Sequence, residues 1–415
     1  MGGAQLDEVF RDQWGRLLAL LVAQFRRLDL AEDGLSEAFL AAAAHWPADG
    51  MPGNPAGWLL TTARRKILDR LRGEATAARK EPLLAVDAEL QQQAQRVMAD
   101  AGDGLADERL RLMFLSAQPV LAPDAAAALT LRLVLGVPTA DIAAVFHTSE
   151  PTMAARLTRA KRAVAGSGER FAVPTGDALS PRLETVCRVV YLTFTSAYAP
   201  ARGHQATRVT VAAEAIRLGR LLTALRPEPP AARALLALML LQHSRRDART
   251  DAAGHLVLLP DQDRSRWRAD EITEALTLLE PMLPGTWPGL AGEYCLQALI
   301  AAEHAVAARA EDTRWDRIAA HYLELEGLTR SPVVRLNRAV AVAEADGPAA
   351  GLSLLDGLDV WLPRSHRLAA VRASLLADLG RDQAAREAYA RALELCGNEL
   401  EAEHLRGRLA ALTPE

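Results

Sequence analysis

Apolar residues recur at helical spacing along most of the chain, and this periodicity restricts the fold more than any other feature. Alanine and leucine dominate, and aromatic residues make up only 5% of the 415 positions. No run of Val, Ile, Tyr and Thr alternates over more than a few residues, although a half-buried strand would need such alternation. The sequence therefore predicts an all-α protein, and its length predicts several separate cores.

Composition narrows the class of protein further. Half of the residues are hydrophobic and 24% are charged, which is typical of folded globular proteins. No stretch of about eighteen apolar residues lacks a charge, so we expect no membrane span. Cys187, Cys295 and Cys396 lie far apart without CxxC spacing, which favours a reducing cytoplasm and no metal site. Because the net charge is −4, nucleic-acid binding would depend on local basic clusters.

Three helices are predicted at the N-terminus. Residues 6–27 carry one continuous apolar stripe, and Asp29 is predicted to cap a second helix that ends near Trp46. The sequence PADGMPG cannot continue that helix, and Asn54-Pro55 then supplies a cap and a first-turn proline for a third helix, which runs to about Arg72. Residues 76–107 are polar and are expected to form a linker, with one weak helix around residues 88–98.

The third helix separates apolar from polar residues. Residues 56–80 contain seven basic and two acidic side chains, an excess that suits a phosphate backbone. A solvated helix surface would show the same pattern, so both interpretations remain open here. The polar side of the helix consists of Thr61, Thr62, Arg65, Lys66, Asp69, Arg70 and Arg72.

A second module follows from Glu108 to about residue 170 and has helix-turn-helix spacing. Thr139 is predicted to cap a short helix that ends near Phe146, and a longer helix starts near Glu150 after a tight turn. On the longer helix Met153, Leu157, Ala160 and Val164 share the inner side, and Thr152, Ala155, Arg156, Arg159 and Arg162 share the outer side. Arginine can donate two hydrogen bonds to guanine, although basic amphipathic helices also occur in proteins that do not bind DNA.

A short break through Gly166, Gly168, Pro174 and Gly176 precedes a long helical region, residues 180–415. Gly347 and Gly380 lie 33 residues apart in similar surroundings, close to the tetratricopeptide period. Residues 255–259 could form a short strand or hairpin, and we expect a structured loop around them that concentrates charge between Asp247 and Arg266 beside Trp267.

Together these segments resemble the extracytoplasmic-function (ECF) sigma factors of RNA polymerase. DLAEDGLSEAFLAAAAHW looks like the family's second-region helix, NPAGWLLTTARRKILDRLR looks like its minus-ten reading helix, and the later module looks like its fourth region. The rest is similar to one ECF group with a long tetratricopeptide-like extension, through segments such as LLPDQDRSRW and SPVVRLNRAVAVAEADGPAAGL.

The resemblance implies a domain order and a function. Region 2 would occupy residues 1–75 and region 4 residues 108–170, with linkers at residues 76–107 and 171–179, followed by a repeat domain at residues 180–415. The chain would direct core RNA polymerase to specific promoters and start transcription without a cofactor, and the repeat domain would modulate this activity or receive a protein regulator.

The resemblance also assigns residues to four surfaces. The acidic helix would dock on the clamp helices of the polymerase β′ subunit, region 4 would contact the β flap, and a loop would hold a base flipped out of the opened non-template strand. The polymerase-binding acids would be Asp29, Glu32, Asp33 and Glu37, and the base-holding loop would contain Asp49, Gly50, Met51 and Asn54. The minus-ten contacts would be Thr61, Thr62, Arg65, Lys66, Asp69 and Arg72. The minus-thirty-five contacts to double-stranded DNA would be Thr152, Ala155, Arg156, Arg159, Lys161 and Arg162.

Other classes of protein fit less of the sequence. A helix-turn-helix regulator with a repeat sensor would leave the first module unexplained, and a tetratricopeptide scaffold would leave both modules unexplained. An enzyme is least expected, because the chain lacks a Gly-rich phosphate loop, HExxH and GxSxG. Ser116-Ala117-Gln118 stands where relatives often carry Cys-Cys-His, so the resemblance supports no metal site there.

Overall fold

The structure is a computed structural model that describes residues 2–77, 103–146, 148–168, 171–175, 178–198, 205–225, 229–251, 257–283, 285–397 and 399–412. Within these ranges the regular elements are α-helices and short 3-10 turns, which confirms the predicted all-α class. The chain divides into two compact units. The helices up to Leu225 belong to the first unit, and the helices from Pro230 onward belong to the second.

The N-terminal module consists of α1 (Gly2–Phe25), α2 (Leu28–Asp49) and α3 (Pro55–Ala77). Its apolar stripes meet in one core, as their helical spacing predicts. Phe10, Trp14 and Phe39 form an aromatic cluster between α1 and α2, with ring centroids 4.8 to 5.9 Å apart. This cluster fixes the crossing of the first two helices.

Two helix ends differ from the sequence prediction. Arg27 occupies the cap position of α2, and Asp29 lies in its first turn instead. The helix also continues through Pro47 to Asp49, because the backbone N–H of Gly50 donates to the Trp46 carbonyl at 3.0 Å and closes the last turn. The end predicted near Trp46 was therefore wrong by nearly one turn.

The second module contains α4 (Asp103–Ser116), α5 (Pro123–Val134), α6 (Thr139–Val145) and α7 (Glu150–Gly166). Helices α6 and α7 have the predicted helix-turn-helix arrangement, in which the Ser149 side chain accepts a hydrogen bond from the Thr152 backbone N–H at 3.4 Å. Thr139 begins α6 rather than capping it, because Pro138 holds the cap position. The weak helix predicted at residues 88–98 lies outside the described residues.

The two modules pack tightly against each other where α1 crosses α5. A Cβ on Gly15 would lie only 2.0 Å from the Val134 carbonyl oxygen, so no larger residue fits there without movement. Trp14 Nε1 donates to the Arg132 carbonyl at 3.1 Å, and the Arg132 guanidinium lies 5.3 Å from the centre of the Trp14 ring.

Helices α8 (Leu179–Tyr198) and α9 (Gln205–Leu225) belong to the same unit as the two modules. Helix α8 packs on α5, and Arg182 donates to the Phe114 carbonyl of α4 at 2.9 Å. Burial raises the pKa of the Cys187 thiol on α8 to about 12, so this thiol is protonated and unreactive at neutral pH. The domain boundary expected at residues 171–179 stays a prediction.

The second unit is a series of helices that pack mainly on helices one or two places away along the chain. For example, α10 packs on α12, α13 on α14, and α17 on α18. The helices are α10 (Pro230–His243), α11 (Ala269–Leu279), α12 (Gly289–Val306), α13 (Trp315–Thr329), α14 (Pro332–Asp346), α15 (Pro348–Ser353), α16 (Leu358–Trp361), α17 (His366–Asp378), α18 (Asp382–Leu395) and α19 (Glu399–Ala411).

The two glycines that suggested a repeat occupy similar places. Gly347 joins α14 to α15 and Gly380 lies between α17 and α18, both with a positive φ, of 98° and 69°. The paired helices differ in length, however, because α15 has 6 residues and α18 has 14. The tetratricopeptide class therefore stays a prediction.

The charged loop of the second unit is held by arginine. Arg264 donates to the carbonyls of His304 and, at 3.0 Å, of Ala307, and so satisfies the C-terminal end of α12. Its guanidinium lies 4.7 Å from the centre of the buried Trp267 ring. Leu259–Asp261 form a 3-10 turn, and Val257 and Leu258 before it are not in a strand, whereas residues 255 and 256 of the strand considered lie outside the described residues.

Candidate nucleic-acid and polymerase interface

Helix α3 presents the polar side that the sequence predicts. Leu59, Leu60, Ala63 and Ile67 are buried, and the opposite side faces solvent. The Asn54 side chain accepts a hydrogen bond from the Gly57 backbone N–H at 2.9 Å, which confirms the predicted cap. The predicted minus-ten residues Thr61, Arg65, Lys66, Asp69 and Arg72 are exposed, and Thr62 is half-buried.

The predicted base-holding loop lies between α2 and α3. Trp46 and Trp58 close its two ends by an edge-to-face contact, with ring centroids 5.4 Å apart. Gly50, Met51 and Asn54 are exposed in the loop, whereas Asp49 is the last residue of α2. Met51 leaves 47% of its surface in solvent.

The predicted polymerase-binding acids share their charge with basic residues of α3. Arg70 binds Asp33 at 2.6 Å and also binds Glu37, and Lys66 lies 3.7 Å from Glu37. These hydrogen bonds, first to Asp33 and then to Glu37, raise the pKa of Arg70 above its usual value. Two of the predicted surfaces therefore meet along the line where α2 packs on α3.

Asp29 and Glu32 have opposite surroundings although both lie at the start of α2. The Asp29 side chain is 62% exposed and binds Arg27 at 2.8 Å, and this hydrogen bond holds the pKa of its carboxyl below the usual range. Glu32 is only 5% exposed. Its carboxylate accepts a hydrogen bond from Arg132 Nε at 2.8 Å and contacts the ammonium group of Lys161.

Helix α7 exposes most of its predicted minus-thirty-five residues. The four predicted inner residues, Met153, Leu157, Ala160 and Val164, are buried. On the outer side Thr152, Ala155, Arg159 and Arg162 are exposed, and Arg156 is half-buried. Lys161 differs from these residues, because its side chain contacts Glu32 of the first module.

Sequence reasoning did not predict the contact of Glu32 with Arg132 and Lys161. Arg132 lies on α5 and carried no predicted role, yet it binds Glu32 across 100 positions of sequence. A signal was present in the spacing of α2, since Glu32 falls in phase with the buried residues Leu35, Phe39 and Ala42. A charged residue in an apolar stripe indicates a buried partner of opposite charge.

Two further places bear on the metal predictions. Ser116 is buried, with its hydroxyl 2.8 Å from the Thr130 hydroxyl and donating to the Met113 carbonyl at 3.0 Å, so it fastens α4 to α5.

His366, Cys396 and Glu401 bring possible ligand atoms within 4.8 Å of one another, a group that sequence spacing does not reveal. His366 Nε2 lies 2.8 Å from Glu401, so this group already holds α17 to α19. The expectation of no metal site stays a prediction.

None of the helices in the described part of the chain is both long and apolar enough to cross a bilayer.

Comparisons with known proteins give three family matches. Residues 12–76 match sigma-70 region 2, and residues 111–164 match sigma-70 region 4. Residues 182–283 match a family of unknown function, DUF6596. The region 2 match begins within α1 and ends in α3, and the region 4 match begins within α4 and ends in α7; sigma regions of this kind are non-catalytic domains.

A curated relative extends the similarity to nearly the whole chain. Uncharacterized protein R00370 of Rhizobium meliloti (strain 1021) is 40% identical over 402 residues, which cover 96% of this chain and 93% of the relative. No solved structure gives a significant match.

Helices α3 and α7 thus lie in matched sigma regions and in the expected order, and such regions imply binding to core RNA polymerase and promoter DNA. The chain belongs to the sigma-70 family, as an ECF-type sigma factor with a C-terminal extension.

Proposed function

We propose that this chain recruits core RNA polymerase to its own set of promoters by reading the minus-ten element with α3 and the minus-thirty-five element with α7. The observation that carries the proposal is that both helices bury one apolar side and expose a polar, largely basic side. Basic side chains position a helix on phosphates, and the side chains between them reach base edges.

In the minus-ten region, α3 and the loop before it would act together. Thr61, Thr62, Arg65, Lys66, Asp69 and Arg72 contact the DNA, and Asp49, Gly50, Met51 and Asn54 surround a base flipped out of the non-template strand. The exposed Met51 supports this role, since an apolar side chain in solvent can contact an unstacked base. Strand opening then uses the free energy of base capture and needs no ATP.

In the polymerase-binding region, Asp29, Asp33 and Glu37 give α2 an exposed acidic edge that suits the basic clamp helices of β′. Arg70 binds two of these acids, so polymerase binding exchanges one ion pair for another rather than creating one. Region 4 would contact the β flap.

The C-terminal domain would modulate this activity by receiving a protein partner. A groove of about 480 Å³ between α13, α14 and α16 supports this role. Arg330, Arg335 and Arg338 line the groove together with one carboxylate, Glu326, which binds Arg338 at 2.6 Å, and Trp361 leaves 73% of its surface exposed. Exposed tryptophan beside arginine is typical of protein interfaces, and the positive charge suits an acidic segment.

The test of the C-terminal role keeps the chain intact. Arg182 of α8 bonds to α4, so truncation near residue 172 would disturb the sigma modules themselves. We expect Trp361→Ala with Arg330→Ala to change the regulation of a target promoter in cells, while in vitro transcription with purified core polymerase stays unchanged. Unaltered regulation in cells would exclude this groove as the regulatory site.

The test of promoter reading compares two arginines of α7. In the holoenzyme, Arg159→Ala should cost about 1 to 3 kcal/mol of binding and relax selectivity at one base pair, because it removes a guanine contact. Arg162→Ala should weaken binding to all sequences and lower the salt slope by about one, because it removes a phosphate contact. Equal effects of the two substitutions would refute this assignment of roles.

A further inference from the structure

The geometry points to a clasp between the two sigma modules, in which Glu32 of α2 binds Arg132 of α5 and Lys161 of α7, and which must open before the chain can read both promoter elements. The inference rests on the proposed function, since it concerns the regulation of the same two surfaces.

The clasp is a buried carboxylate held by two cations. Glu32 is 5% exposed, Arg132 Nε lies 2.8 Å from one carboxylate oxygen, and the Lys161 ammonium contacts the other. The side chains of Arg132 and Lys161 are themselves only 21% and 29% exposed. A carboxylate held this far from water requires a counter-charge, and the two cations in turn depend on Glu32, so the loss of Glu32 leaves both of them uncompensated.

Apolar packing beside the clasp brings the same two modules together. Arg132 lies over the Trp14 ring, and its carbonyl accepts a hydrogen bond from Trp14 Nε1. Gly15 allows α1 to approach Val134 to a distance at which any Cβ would collide. The modules are therefore fitted to each other, and Glu32 is the charged centre of an extended contact.

In the closed arrangement α3 and α7 lie too close together to contact two promoter elements at once. Elements centred about 25 base pairs apart are roughly 85 Å apart along B-form DNA, at about 3.4 Å per base pair. In the closed state α3 and α7 both contact α2, whose diameter with side chains is only about 10 to 12 Å. Reading both elements at once therefore requires α7 to move away from α2.

Opening releases residues that the promoter complex can use. Glu32 becomes available to the basic polymerase surface, and Lys161 becomes available to DNA phosphates. Because each ligand competes with the clasp for one of its members, binding of either one favours the open state and so strengthens binding of the other. The clasp thus opposes promoter binding in the absence of polymerase.

The experiment measures the distance between the modules in the full-length chain. Spin labels are placed at Leu40→Cys on α2 and Thr158→Cys on α7, both at exposed positions, in a Cys396→Ser background. Cys187 and Cys295 are buried and stay unlabelled. We expect a single short-distance population in the free protein and a long-distance population after addition of core polymerase and promoter DNA.

Variants then separate the clasp from general effects of charge. Glu32→Gln should raise the ratio of open to closed protein at least about tenfold, because it leaves the charges of Arg132 and Lys161 without a counter-charge. Lys161→Met should raise this ratio less, because Arg132 still neutralises Glu32. Gly15→Val should open the modules without changing any charge. As matched controls, Asp33→Asn breaks an ion pair within the first module and Arg162→Met changes an exposed neighbour on α7, so both should keep the short distance.

Two results would overturn the clasp: a long distance in the free wild-type protein, or an unchanged short distance in Glu32→Gln, whether or not Gly15→Val opens the modules. Failure of the proposed function would look different. If the labelled protein did not bind core polymerase, the sigma assignment would fail while the distances in the free protein still decided the clasp.

Discussion

Two buried carboxylates, one in each unit of the molecule, have nearly the same chemistry in different surroundings. Glu32 is held by Arg132 and Lys161, and Glu271 of the second unit is held by His243 and Arg246. The Arg246 guanidinium lies 2.8 Å from Glu271, and His243 Nδ1 lies 3.0 Å from both carboxylate oxygens.

The difference lies in what each carboxylate joins. Glu271 ties α10 to α11, which pack together within a single unit. Glu32 ties two modules that must part when both promoter elements are read. The ion pairs of Glu271 therefore stay formed whenever the second unit is folded, whereas those of Glu32 break when the two sigma modules separate.

The largest effect is expected at Glu271. Glu271→Gln should lower the local free energy of unfolding of α10 and α11 by about 3 to 5 kcal/mol, because it leaves the charge of Arg246 buried without a counter-charge. Hydrogen exchange of the amides of these two helices measures this loss. Asp270→Asn is the matched control, since Asp270 is exposed in the same helical turn and should cost less than about 1 kcal/mol.

The stability of α10 and α11 should depend on pH through the protonation of Glu271. Burial raises the pKa of Glu271, but the hydrogen bond from His243 and the charges of His243 and Arg246 outweigh burial and hold this pKa below its usual value. Its stabilisation is therefore complete above the unfolded value of about 4.3 and is lost as the pH falls through the lower folded value. Hydrogen exchange of α10 and α11 below about pH 4.3 should show this loss in the wild type and not in Glu271→Gln. An identical acid response in the two proteins would contradict this cause.

A smaller loss is expected at Glu32. In Glu32→Gln the modules can part and return Arg132 and Lys161 to water, so the protection of amides in the core of each module should fall by about 1 kcal/mol or less. The distance between the modules should change strongly in the same protein. A loss of stability as large as that of Glu271→Gln would remove the contrast between the two sites.

The smallest effect is expected at the exposed pair between α2 and α3. The Arg70 side chain is 40% exposed, so Arg70→Met should change the stability of the first module by less than about 1 kcal/mol although it removes two ion pairs. Thermal unfolding of the purified chain and exchange of the α2 amides measure this. A loss above about 2 kcal/mol would show that exposed and buried pairs in this protein do not differ as described.

Many helices of the sigma modules, their buried sides and some of their caps could be predicted from the sequence, because local residue patterns determine these features. The buried side of α7 matches its apolar spacing at Met153, Leu157, Ala160 and Val164, and Asn54 caps α3 as expected. Contacts between distant segments did not follow, because spacing within one helix does not name a partner on another. Glu32 lies in phase with the buried stripe of α2, yet only the fold shows that Arg132 and Lys161 neutralise it.

The ends of α2 show a second limit of local rules. Asp29 and Pro47 have residue types that usually mark a helix end, but α2 begins before Asp29 and continues past Pro47. The Trp46 carbonyl and the Gly50 N–H complete the last turn, and Trp58 packs on Trp46 from the next helix. Tertiary packing has overridden the local preference at the C-terminal end of this helix, whereas at its start Asp29 binds the neighbouring Arg27.

The most direct test of the central claim is reconstitution of transcription. The purified full-length chain is added to sigma-free core RNA polymerase with a genomic fragment from upstream of its own operon, and run-off transcripts are measured. We predict a discrete transcript that requires the chain and that weakens when Arg159 is replaced by alanine. If the chain neither bound core polymerase nor produced a specific transcript, its proposed role as a promoter-directing sigma factor would be contradicted.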